Sequence, residues 1–257
     1  LNKYQPTLLV APPSMLRFLA LYQMQGEIRI HPEKIISVAE VLDPLDKQCI
    51  EESFQQNLHQ VYQCTEGFLA ATCPYGTLHV NEDLLVMEKH YLNKELGKFS
   101  PIITDFTRTS QPIIRYLLND ILTEKRKSCP CGSPFLAIEE IEGRCDDVFY
   151  FPHQGKDTLK PIFPDFIRRA VMLAHPDIEE YIVMQHDPAY LEIQVKCSEE
   201  NQKEVEHAVL RSIQTLLEHQ ACTLPQITWA PYTHEVGPLK LRRVRRMFAV
   251  KEGLDLE

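Results

Sequence analysis

Short apolar runs at residues 7–10 and 34–38, and a third opening at Val61-Tyr62, alternate with segments of helical periodicity. Ser14, after Pro12-Pro13, stands where an N-cap belongs, and Leu16, Leu19, Ala20 and Met24 recur behind it at helical spacing. Pro44 opens a second helix over about 44–58. Strand, helix, strand, helix, strand predicts a parallel sheet with crossover helices. Ligands of such sheets sit beyond the carboxyl ends of the strands, which is where Ala39-Glu40 and Thr65-Glu66 fall.

From about residue 76 the pattern changes to short alternating segments at 77–80, 84–88, 102–106, 113–116 and 135–141, the texture of a small antiparallel β-subdomain. After Gly143-Arg144 it changes again. A helix near 162–174, strands at about 180–186 and 190–196, a long helix over 200–219 and a last strand at 226–230 make an α+β unit of ferredoxin-like character. In the long helix Val205, Ala208, Val209, Ile213, Leu216 and Leu217 share one face. The predicted class is therefore α/β: a partial parallel sheet with crossover helices over 1–75 and a β-subdomain over 76–143, followed by a smaller α+β domain over 144–257.

Composition narrows the function. Twenty-seven basic against 36 acidic residues leave a net charge of −9, the opposite of the basic footprint of a nucleic-acid binder. No apolar stretch approaches the ~20 residues of a membrane-spanning helix, and the start lacks a signal peptide's charged-then-apolar order. Eight cysteines are too few and too scattered for a secreted disulfide scaffold. These features predict a cytoplasmic protein with no nucleic-acid or membrane partner. Nine glycines are about half the usual ~7% frequency, which leaves little material for a glycine-rich phosphate loop.

Three short strings carry the chemistry: Tyr62-Gln63-Cys64-Thr65-Glu66-Gly67, Arg115-Tyr116-Leu117-Leu118-Asn119-Asp120 and Gly143-Arg144-Cys145-Asp146-Asp147-Val148. In this order and spacing they resemble the Tyr-x-x-Thr-Glu, Arg-Tyr-x-x-x-Asp and Gly-Arg-x-Asp-Asp signatures of adenylate-forming enzymes, the phenylacetate–coenzyme A ligase branch above all. Ala11-Pro12-Pro13-Ser14, Ser37-Val38-Ala39-Glu40, Leu78-His79-Val80-Asn81-Glu82-Asp83 and Cys129-Pro130-Cys131-Gly132 support the resemblance, which covers most of the chain from residue 7.

The resemblance implies ATP-dependent activation of a carboxylic acid, an aromatic one by the branch, as an acyl-adenylate. Attack of a carboxylate on the α-phosphate of ATP requires the triphosphate charge to be neutralised, hence Mg2+. By resemblance Glu66 is its ligand, Thr65 bonds the α-phosphate, Tyr62 stacks on adenine and Ala39-Glu40 lines the nucleotide site. Asp120 accepts the ribose hydroxyls of ATP or AMP, a task suited to two carboxylate oxygens, and Arg144 contacts ribose or phosphate. Asp146 matches the hinge about which the small domain turns between half-reactions. Gly237-Pro238-Leu239-Lys240 resembles the segment whose lysine stabilises charge developing on phosphate, making Lys240 the candidate. Without the resemblance, Tyr62 reads as a core aromatic, Arg115 and Asp120 as a surface ion pair, and residues 240–246 as a solvated basic cluster.

Two departures qualify these roles. No Ser/Thr/Gly-rich phosphate loop occurs, so the chain is expected to be the C-terminal portion of a longer enzyme, or one part of a split one. It is expected not to adenylate by itself and to have the missing N-terminal part as a partner. After Val148 the text Phe149-Tyr150-Phe151-Pro152-His153-Gln154-Gly155-Lys156 is longer and bulkier than the family's, which leaves the acyl acceptor open between coenzyme A, an amine and another thiol. A reading of another class also stands: a non-catalytic module, derived from an adenylation fold, that binds a nucleotide or a protein partner.

Cys73, His79, Cys129 and Cys131 are the last candidates. Cys73 and His79 flank the turn Pro74-Tyr75-Gly76, and Cys129-Pro130-Cys131-Gly132 offers two thiolates on one tight turn. Three sulfurs and one nitrogen suit a tetrahedral structural zinc ion. The spacing is not that of a standard finger or ribbon, so turn cysteines beside a satisfied strand histidine remain the alternative; the resembling branch carries a cysteine and histidine followed by a cysteine pair here.

Overall fold

The computed structural model describes residues 1–233 and 241–250, so Lys240 and the glycine segment before it lie outside the described residues. The chain divides into two compact units, Leu1–Ile141 and Glu142–Glu257.

The first unit begins with β1 (Leu8–Ala11), α1 (Pro13–Met24), β2 (Lys34–Ser37), α2 (Pro44–Phe54) and β3 (Leu58–Cys64). The strands run parallel in the order β1-β2-β3, Leu9 opposite Ile35 and Ile35 opposite Leu58. Those residues bury against Leu16, Ala20, Ile30 and Ile50, the arrangement that amphipathic crossover helices impose. Both helices start with proline, whose fixed φ and absent N–H suit the first turn. Ser14 is not the N-cap of α1: Pro12 holds that position, and the Ser14 amide donates instead to Glu40 Oε2 at 3.4 Å. Asp43 caps α2 through Leu45 N at 2.9 Å. That helix stops at Phe54, short of the expected residue 58, because Gln55 turns left-handed at φ 53° and breaks the repeat.

After β3 the sheet continues through β4 (Gly67–Thr72), β5 (Leu78–Val80), β6 (Leu85–Asn93), β7 (Lys98–Asp105), β8 (Ile113–Leu117), β9 (Asp120–Glu124) and β10 (Ala137–Arg144). One path joins them in the order β1-β2-β3-β4-β5-β10-β9-β7-β6, with β8 on β7. The change from parallel to antiparallel falls between Cys64 and Gly67, which pair across the two-residue turn Thr65-Glu66. A link that short permits only a hairpin. The core divides at the same place, and Tyr62, Leu69, Val80, Leu85, Phe99, Ile103 and Leu122 belong to a second apolar cluster.

In the second unit a 3-10 turn (Cys145–Asp147) leads into a hairpin of β11 (Phe149–Pro152) and β12 (Leu159–Ile162). There follow α3 (Pro164–Met172), β13 (Glu180–Asp187), β14 (Tyr190–Lys196), α4 (Gln202–His219), β15 (Gln226–Pro231) and β16 (Val244–Arg246). Their sheet has the order β15-β14-β13-β16. Val205, Val209, Ile213 and Leu217 form the buried stripe of α4. Fully buried Gln185 exchanges two hydrogen bonds with the Tyr150 backbone, at 3.0 and 2.7 Å, and so ties the first hairpin to the sheet.

Candidate functional site

Tyr62 and Asp120 meet in the first unit. The Tyr62 hydroxyl donates to Asp120 Oδ2 at 2.6 Å although the residues are 58 apart in sequence. Tyr62 is only 7% exposed and belongs to the core, so its ring is packed in the core rather than presented for the expected stacking on adenine, while its hydroxyl holds the carboxylate. Burial first, and the Asp120 charge second, push the Tyr62 phenol well above its ordinary value. It therefore stays a donor, and it leaves Asp120 Oδ1 for another partner.

Thr65 and Glu66 are the tip of the β3–β4 hairpin, Thr65 exposed and Glu66 half-buried. Arg108 donates to the Thr65 carbonyl at 2.5 Å. Cys64 packs beneath the tip, its thiol pushed up to about 11 by burial first and by hydrogen bonding to the Glu66 side chain next. Ala39 lies just past the carboxyl end of β2, beside the neighbouring β3, with a left-handed φ of 70°. A non-glycine residue held there stores about 1 kcal/mol or more of strain. Arg115 does not pair with Asp120: its guanidinium bonds both Glu88 oxygens, at 2.9 and 3.0 Å, on the surface.

In the second unit Arg144 and Asp146 are exposed, at and just after the start of the 3-10 turn. Their neighbour Asp147 is 5% exposed and bonded by both Arg242 Nε, at 3.2 Å to Oδ2, and Arg242 Nη2. Burial raises the Asp147 pKa above its ordinary 3.8, with Arg242 opposing the shift. A carboxylate whose folded pKa is raised costs the fold stability as pH climbs from its unfolded value through the folded one. Arg242→Ala removes the opposing charge and should destabilise the protein by about 1–3 kcal/mol at pH 7 and far less at pH 4. Urea midpoints at the two pH values check this; equal losses at both would show that Arg242 acts through packing alone.

Cys73, His79, Cys129 and Cys131 also converge in the first unit, with all four ligand atoms within 4.8 Å of one another. Two glycine turns build the site. Gly76 N bonds Cys73 O at 2.9 Å and Gly132 N bonds Cys129 O at 3.1 Å, with φ of 74° and 76°, open to glycine at no steric cost. Cys73 Sγ lies 3.6 Å from Cys129 Sγ and Cys131 Sγ lies 3.4 Å from His79 Nε2. Tetrahedral zinc with ~2.3 Å sulfur and ~2.0 Å nitrogen bonds needs edges of about 3.5–3.8 Å, so the donor set fits. His79 Nδ1 faces Phe135 O at 3.2 Å; an N–H donated there leaves Nε2 free as a ligand. Hydrogen bonding, from Thr77 first, brings the Cys129 thiol down to about 6. No helix among the described residues is long and apolar enough to cross a membrane.

Sequence reasoning missed Asp105 and Arg108, which adjoin the Thr65-Glu66 tip. The Thr-Asp-Phe-Thr-Arg string at 104–108 carries no signal of its own that separates it from an ordinary strand end.

No protein-family model and no curated protein matches this sequence. Solved structures do. A 2-hydroxyisobutyryl-CoA ligase in the postadenylation state with 2-HIB-AMP is 18% identical and superposes with a TM-score of 0.71, covering 98% of this chain and 56% of that one. Coronafacic acid ligase from Pectobacterium brasiliense is 12% identical, with a TM-score of 0.61 over 92% of this chain and 48% of that one. An anthranilate CoA ligase in complex with anthranoyl-AMP is 12% identical, with a TM-score of 0.60 over 91% and 47%. This chain has the fold of adenylate-forming acid–CoA ligases, and it spans about half the length of those it matches.

Proposed function

We propose that this chain is the C-terminal part of a cytoplasmic enzyme that activates a carboxylic acid as an acyl-adenylate at the expense of ATP. The observation that carries the proposal is the Tyr62–Asp120 hydrogen bond, which joins two of the three ordered motifs on a ligase fold. Asp120 Oδ1 receives a ribose hydroxyl, and Tyr62 holds the carboxylate plane for it. Thr65 and Glu66, on one exposed hairpin tip, serve phosphate and Mg2+. One protein carboxylate completed by substrate phosphate oxygens is a donor set that Mg2+ accepts. Ala39-Glu40 borders the same strand ends. Arg144 contacts ribose or phosphate, and Lys240 supplies positive charge at the reacting phosphate. The eight free cysteines suit a reducing compartment, and Cys73, His79, Cys129 and Cys131 hold a structural zinc ion, leaving no position open for catalysis by the metal.

The anthranilate ligase binds anthranoyl-AMP, in keeping with an aromatic acid as substrate here, and a coenzyme A thiol is the acceptor to test first. The experiment is pyrophosphate exchange into ATP by the complete protein against a panel of aryl and alkyl acids. Acid-dependent exchange is expected. Its absence for every acid, with ATP binding retained, would favour a non-catalytic nucleotide-binding module.

Asp146 acts as the hinge between half-reactions. Asp146→Pro, by fixing φ, should spare pyrophosphate exchange and slow transfer to the acceptor by about tenfold or more. Equal loss of both half-reactions would mark misfolding instead.

A further inference from the structure

The Thr65-Glu66 turn lacks the backbone geometry that favours a two-residue hairpin. Favoured two-residue hairpin turns carry a positive φ at the first central residue, because that geometry matches the strand twist. Neither Thr65 nor Glu66 has one, and the register of β3 against β4 shifts between Tyr62 and Gln63. Contacts from another strand add to those the turn makes with Cys64. Asp105, at the end of β7 and 8% exposed, takes Thr107 N and Thr107 Oγ1 on Oδ1 at 2.7 and 2.6 Å. Its Oδ2 lies 3.8 Å from Arg108 Nε and 3.1 Å from where a Gly67 side chain would begin. Arg108, so aligned, donates to the Thr65 carbonyl at 2.5 Å.

We infer that Asp105 and Arg108 are positioning residues for the candidate nucleotide site: the carboxylate aims the guanidinium, and the guanidinium sets the Thr65–Glu66 peptide. In a trans peptide C=O and N–H point in opposite directions. Holding the Thr65 carbonyl toward Arg108 therefore turns the Glu66 N–H the other way, toward Cys64 Sγ, and limits where the Glu66 side chain can reach. Gly67 belongs to the same device, since a Cβ there would press on Asp105 Oδ2 and on Leu69 at 3.3 Å. The inference rests on the reading of Thr65 and Glu66 as phosphate and magnesium residues, and its test separates the two.

Two measurements decide it. In the 257-residue chain without ligand, amide exchange at Glu66 and Gly67, followed by NMR, should accelerate about tenfold in Arg108→Ala, with the protection pattern of amides remote from the hairpin tip retained. In the complete protein the same variant should lower kcat for pyrophosphate exchange about tenfold and raise the Mg2+ concentration for half-maximal rate, with the KM for the acid unaltered. Arg108→Lys should recover part of the loss, and Asp105→Asn should reproduce it. Lys125→Ala, which removes a surface cation paired with Glu139 elsewhere on the sheet, should change neither readout. Unaltered amide exchange in Arg108→Ala would overturn the inference. Accelerated amide exchange in a complete protein that shows no acid-dependent activity at all would keep the clamp and remove the nucleotide reading instead.

Discussion

Asp120→Ala in the complete protein should raise the KM for ATP about 100-fold, because a hydrogen bond to a charged acceptor is worth about 1.5–3 kcal/mol and the ribose hydroxyl at Oδ1 loses its own. The KM for the acid should hold. Tyr62→Phe should cost about tenfold, since it keeps the ring in the core and removes only the hydroxyl that donates to Asp120 at 2.6 Å. Glu66→Ala should act on kcat rather than KM, by about 100- to 1000-fold, because a magnesium ligand stabilises charge that grows in the transition state. Pyrophosphate exchange at varied ATP and Mg2+ separates these effects. If neither Asp120→Ala nor Glu66→Ala changed the exchange rate, the nucleotide site would lie elsewhere.

Zinc removal should have the largest effect on stability. Protein purified without added metal should hold about one zinc ion per chain, with Cys73, Cys129 and Cys131 protected from thiol reagents until a chelator is added. Cys131→Ser should release the ion and destabilise the first unit by more than about 4 kcal/mol, because the binding energy of a structural metal is folding energy. The site joins the turn before β5 to the turn before β10, two strands that pair through His79 and Ala137. Its loss should therefore loosen the middle of the sheet and leave the second unit as it was. Far less than one equivalent of zinc in folded protein, with all three thiols freely titratable, would remove the site.

Much of this arrangement was legible in the chain. The parallel order of β1, β2 and β3 followed from apolar runs separated by helical periods. The long helix α4 and the hairpin of β13 and β14 also lay close to their expected positions. The cysteines and histidine that the two turns and the family resemblance singled out lie together, and Gly76 and Gly132 each close a turn that only a few residues can make. The short strands of the middle region were harder. β4 begins at Gly67 without a turn dipeptide before it, and β9 begins at Asp120, inside a string read for its chemistry. Ser14 does not cap α1 because Pro12-Pro13 and the distant Glu40 together replace what a local hydroxyl usually does.

By itself, the sequence determined what depends on neighbours along the chain: helical and strand periods, proline starts, glycine turns, and the order of the three motifs. Tertiary structure alone decided which partners those elements take. It paired Arg115 with Glu88, gave the Asp120 carboxylate to the Tyr62 hydroxyl, laid β15 parallel beside β14, and brought Arg108 to the Thr65 carbonyl. The physical reason is one of range. Backbone preferences act over a few residues and leave a periodic trace, whereas the register of a sheet assigns neighbours to residues tens of positions apart, and no local pattern records that assignment.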